Sequence, residues 1–229
     1  MTLDHALDRL LHDAAYRAAF FAGAELDLAP EDLDALRCID PGELESAADA
    51  VRRDVMTRGY RGSGGLAAAF PRTLAAWQPQ DVDHFLASPA YAAYREVPYA
   101  GDGGCLEEAC YRFCEAANLG DAVTREHEFL GALLRALVVS PDPAFALPAE
   151  VRRVPGGFVS ITTRGEPTLF LAVHGRLITG ELTPFLAELL LSPDRADDIA
   201  ARHGVAADVL HEAQRQLAEL TTVASGTGS

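Results

Sequence analysis

Apolar positions in the first 140 residues recur at helical spacing between proline and glycine punctuation. Leu3, Leu7, Leu10 and Leu11, continued by Phe20 and Phe21, line one face and predict an opening helix. Pro30, followed by Glu31 and Asp32, predicts a second: proline is tolerated at a first helical position, and acidic side chains suit the positive end of the helix dipole. Asp40, Pro41 and Glu43 form a capping-box-like start to a third, which Leu44, Ala48, Val51 and Val55 carry to the glycine-rich break at 58–65. Short helices are expected over 66–77, 80–87 and 88–94. A longer one should run from about Cys105 to Asn118, and another from Asp121 should carry Val123, Leu130, Leu134 and Leu137 on one face.

The pattern changes after Pro141, Pro143 and Pro148. Residues 151–154, 158–163 and 169–173 are rich in β-branched and aromatic side chains, and Pro155-Gly156-Gly157 between the first two is a hairpin signal. Three strands are therefore expected. Residues 182–191, then Ser192-Pro193 leading a helix near 195–203, and an amphipathic stretch after Gly204 with Val209, Ala213, Leu217 and Leu220 predict three closing helices. The expected fold class is α+β: an all-α helical domain over 1–140, a small winged-helix-like domain of three strands then three helices over 148–221, and a flexible polar tail over 222–229.

Composition narrows the classes. In 229 residues, 49% are apolar and 23% charged, too apolar for a disordered chain, and no uncharged apolar run approaches the ~18 residues of a membrane span. Thirty-four acidic residues face 19 basic ones, all arginine, for a net charge of −15. That excess repels phosphate backbones, so neither nucleic acid nor membrane is an expected partner. The start MTLDHALDRL lacks the basic and apolar regions of a signal peptide, so the expected compartment is the cytoplasm and the four cysteines should be reduced.

Candidate chemistry is sparse. Cys105, Cys110 and Cys114 share a predicted helix, but only the last pair shares a face; small buried hydrophobes explain them, with an independent metalloenzyme built on that helix as an alternative. Asp8 and His12 stand one helical turn apart and suit either a polar helix face or a surface metal site. The carboxylates of Glu126-His127-Glu128 point to different faces, which leaves acid–base work without a partner. GxSxG and GxxxxGK[ST] are missing, and no catalytic or metal-ligating residue is assigned. In the closing helix Asp208, Glu212 and Glu219 outnumber Arg215, which argues against a transcriptional regulator of winged-helix type. Peptide capture by strand addition needs only an open edge and an apolar groove. Leu169, Phe170, Leu171, Ala172 and Val173 are the expected edge, and Val209, Ala213 and Leu217 the expected groove.

Two resemblances agree with that reading. The strand–helix layout resembles the precursor-recognition domain of ribosomal peptide natural-product pathways, where a leader peptide adds a strand beside the third strand and packs on the third helix. The run GYRGSGGLAAAFPRTLAAW, continuing through DVDHFLASPAYAAY to CLEEACYRFCEAANLG, is similar to the helical domain of partner proteins of multinuclear non-heme iron oxidases. Tyr60, Arg61, Leu66, Ala69, Phe70, Pro71, Phe85 and Glu108 are the matching positions, beginning at about residue 50. The resemblance implies a heterodimeric, non-catalytic accessory subunit that brings a precursor peptide to an iron oxidase, as in methanobactin or thiaglutamate biosynthesis. It implies that Tyr60, Arg61 and Phe70 support the partner contact or its scaffold, and that this chain holds no cofactor, the iron belonging to the oxidase.

Overall fold

The computed structural model describes residues 1–25, 27–57, 65–96, 106–139, 147–154, 156–173 and 175–222. Helices combine with a small antiparallel sheet in two compact units, Met1–Asp121 and Ala122–Ser229.

The first unit is helical: α1 Leu3–His12, α2 Ala14–Phe21, α3 Pro30–Arg37, α4 Pro41–Thr57, α5 Gly65–Ala69, α6 Pro71–Leu74, α7 Pro79–Leu86, α8 Pro89–Glu96 and α9 Leu106–Ala116. Five of these open on a proline, which presets the helical φ and gives up only an N–H that would have no helical partner. The opening helix expected over 3–21 is divided at Asp13. Its backbone N–H closes α1 on the Arg9 carbonyl, and its carboxylate accepts from the Tyr16 N–H at 2.9 Å to start α2. Leu10, Phe20, Leu36 and Leu44 bury one core, with Arg17 at its margin donating to the Leu10 carbonyl (2.7 Å) and to Glu45 (2.8 Å). A second packing centre is aromatic. Phe85 stands 5.1 to 6.1 Å from the rings of Tyr91, Phe113 and Trp77, within the range of favourable offset and edge contacts.

The second unit begins with α10, Ala122–Val139, followed by β1 Val151–Val154, β2 Gly157–Ile161, β3 Thr168–Val173, β4 Arg176–Glu181, α11 Pro184–Leu191, a 3-10 turn Pro193–Arg195, α12 Ala196–His203 and α13 Ala207–Thr222. The unit boundary falls at Asp121, not in the proline-rich stretch expected near 140. The cause is α10, which covers the sheet: the His127 ring meets Phe170 edge-on at 4.9 Å, and the Phe170 ring packs beside Gly131.

The strands form a meander in the order β1-β2-β3-β4, antiparallel throughout. The strand β4 lies outside the three expected. Gly180 and the adjoining Arg176 and Glu181 dilute its β-branched signal, although Ile178-Thr179 between Gly175 and Pro184 carried a trace of it. Leu169, Leu171 and Val173 pack with Ile161 and Ala187 of α11 on one face, while Phe170 meets α10 on the other. Covered on both faces, β3 reads as an unbroken apolar run rather than an alternating one. A separate core of Phe185, Leu189, Ile199, Leu210 and Ala213 joins α11, α12 and α13.

Candidate functional site

Hydrogen-bond alternation identifies which backbone groups are available. The Thr162 N–H donates to the Thr168 carbonyl and the Leu182 N–H to the Pro167 carbonyl (2.7 Å). Opposed residues in an antiparallel ladder alternate between bonded and non-bonded pairs. With the register of the sheet, this assigns Thr168, Phe170 and Ala172 to bonds with β2, and Leu169, Leu171 and Val173 to bonds with β4. Every expected peptide-docking position on β3 is thus occupied from one side or the other, and all five side chains are buried. The expectation that 169–173 is a sheet edge is therefore corrected: β4 took the place the peptide was expected to fill.

The same alternation turns the N–H and C=O groups of Leu177, Thr179 and Glu181 away from β3. These groups form the free edge of β4. Arg176, Ile178, Thr179, Gly180 and Glu181 are exposed, Ile178 to 46%, and no atom lies within 4 Å of where a Gly180 Cβ would stand. The opposite edge, β1, is shorter, and Arg152 on it donates to the Leu191 carbonyl at 2.9 Å.

The expected groove is also revised. Ala213 is 5% exposed within the α11–α13 core, so it cannot line a groove, whereas Val209 is 52% exposed on α13. The side chain of Leu217 lies outside the described residues. Arg215 on the same helix is held by Glu212 and Glu219, each at 2.5 Å.

Of the three expected partner-binding positions, Tyr60 and Arg61 lie outside the described residues. Phe70 is fully buried, a core position that can scaffold a partner contact but not form one; it ends α5, where its N–H bonds the Leu66 carbonyl at 2.8 Å. Cys110 and Cys114 are buried in α9, and Cys105 lies outside the described residues. Among the described residues no group of three or more His, Cys, Asp and Glu side chains converges as a metal site. Nor, among them, is any helix long and apolar enough to cross a membrane.

Two polar arrangements were legible in the sequence only in part, since their partners lie far along the chain. Glu126, buried in α10, accepts from the Thr163 N–H (2.8 Å), the Thr163 hydroxyl (2.6 Å) and the Arg164 N–H (2.9 Å), and so clamps the turn from β2 to β3. In the first unit, His12 Nδ1 stands 2.8 Å from the Asp8 carbonyl and 3.0 Å from an Arg95 guanidinium nitrogen, Arg95 pairs with the Asp8 carboxylate, and the His12 ring lies 5.6 Å from that of Tyr91. Burial lowers the His12 pKa, aided by the Arg95 cation, and raises that of Tyr91 to about 12. His12 and Tyr91 line a cavity of about 700 Å³ with Val51, Asp54, Val55 and Thr57. The contacts of Asp8 with Arg95 and His12 account for the Asp8–His12 spacing as a tie between α1 and α8.

Comparison with family models, with curated proteins and with solved structures finds no match to this chain.

Proposed function

We propose that this chain is a non-catalytic accessory subunit that binds an extended segment of a ribosomally made precursor peptide and presents it to a partner multinuclear non-heme iron oxidase. The observation that supports it most directly is the free edge of β4. Three outward-facing residues offer main-chain donors and acceptors that no strand among the described residues takes up, which an extended peptide satisfies by adding a fifth strand. The sheet followed by α11, α12 and α13 is consistent with a winged-helix-like recognition domain, entered from β4 rather than β3. Iron and its ligands belong to the oxidase in this reading.

Electrostatics favours peptide over DNA. Arg215, the basic residue of α13, is already matched by two carboxylates, so a phosphate would have to displace them as well as face a net charge of −15. Residues 122–229 carry 13 acidic side chains and 9 arginines, a near balance that neither repels nor demands a charged peptide.

Titration of a labelled synthetic peptide tests the reading, its sequence taken from the N-terminal half of a short open reading frame beside this gene. Saturable binding is expected, and Thr179→Pro, which removes one outward N–H, should weaken it by about tenfold or more. A tagged chain should also retain a co-expressed oxidase encoded nearby. Equal affinity in the variant would exclude the β4 edge; failure to bind both peptide and oxidase would overturn the function.

A further inference from the structure

The β4 strand is complementary to itself. We propose that, with no peptide present, two copies of this chain pair antiparallel along β4 about a two-fold axis at Ile178, joining two four-stranded sheets into one of eight. The inference rests on the sheet's geometry and stands independently of the peptide reading.

Symmetry restricts the pairing. Side chains of directly opposed residues lie on one face of a sheet, and a two-fold axis normal to the sheet keeps each side chain on its own face. A residue at the axis must therefore oppose its own copy. With Ile178 there, Leu177 opposes the partner's Thr179, and Thr179 the partner's Leu177. All of these carry outward main-chain groups, so each pair exchanges both of its hydrogen bonds. Ile178, whose own groups face β3, then forms the non-bonded pair, in which Cα atoms approach to about 4.5 Å. The exposed apolar side chain of each copy meets its equal.

Shape and charge agree with this register. Arg176 opposes the partner's Gly180, the position in β4 with no side chain and with open space around it, so the long arginine lies across it unobstructed. The charges of the strand, Arg176 and Glu181, project from opposite faces of the sheet, so the pairing sets no like charges against each other and forms no ion pair across the seam. The chain as a whole carries −15 and repels its copy, so salt that screens this repulsion should tighten the dimer. An interface held by exposed ion pairs would respond to salt in the opposite direction.

Sedimentation equilibrium of the full chain without peptide, at low and high salt, reads this out. A concentration-dependent dimer that strengthens with salt is expected. Ile178→Asp places two carboxylates face to face at the axis, and Thr179→Pro removes two of the shared donors; each should raise the dissociation constant by about tenfold or more while the circular dichroism spectrum is kept. Ile178 is exposed, so its variant folds and remains informative if the proline variant does not. A monomer at all concentrations, or a dimer indifferent to Ile178→Asp, overturns the proposal. A chain that stays monomeric yet binds the peptide overturns self-pairing while leaving the peptide reading in place.

Discussion

Glu126 shows what a single side chain can do that local sequence does not disclose. Glu126-His127-Glu128 suggested acid–base chemistry without a partner, because the donors that engage Glu126 lie 37 and 38 residues further on. Buried and accepting three hydrogen bonds, this carboxylate holds a turn. Its removal leaves those donors unsatisfied, so Glu126→Ala should destabilise the second unit by about 3 kcal/mol or more, with Glu126→Gln intermediate, in urea titrations. A loss below ~1 kcal/mol for the alanine variant would show that water replaces the clamp. His12 is a second case: its spacing from Asp8 was visible, whereas Arg95 and Tyr91, more than 75 positions away, were not. Burial lowers its pKa in the folded chain, so as pH falls through the ordinary histidine value of 6.5 the unfolded chain takes up the proton first. Stability should therefore drop over that interval and level off below the folded value. Thermal melts above and below pH 6.5 should show a smaller drop in His12→Gln than in the parent, and parallel drops would contradict the assignment.

At the scale of elements, proline punctuation and helical periodicity made the helices of the first unit legible, and β-branched runs did the same for β1, β2 and β3. The strand β4 was not legible, since an exposed edge strand needs no apolar face and Arg176, Gly180 and Glu181 weaken its signature. That one omission moved the expected binding edge inward by a strand. The two placements make opposite predictions for proline. Leu171→Pro removes a donor to β4 and Ala172→Pro a donor to β2, so each should unfold the sheet or cost about 3 kcal/mol or more. Thr179→Pro, facing outward, should remain folded. Circular dichroism melts of the three variants decide between a central and an edge β3. Phe70 was left between contact and scaffold for a related reason: an aromatic residue in a family-like pattern carries no mark of whether it meets a partner or the core. Its burial predicts a loss of about 3 to 5 kcal/mol for Phe70→Ala.

For the whole molecule, charge and function meet in the two units. Residues 1–121 carry 21 of the 34 acidic side chains and 10 of the 19 arginines, so most of the negative excess resides in the helical unit, where the oxidase contact is proposed, and the sheet unit is close to neutral. An extended peptide entering at β4 is read best by amide hydrogen exchange of the full chain with and without the synthetic leader peptide. At chain concentrations low enough to keep β4 unpaired, added peptide should slow exchange at Leu177, Thr179 and Glu181, whose N–H groups face outward, and leave 169–173, already bonded on both flanks, unchanged. Slowing at 169–173 with no change at Leu177, Thr179 and Glu181 would contradict it.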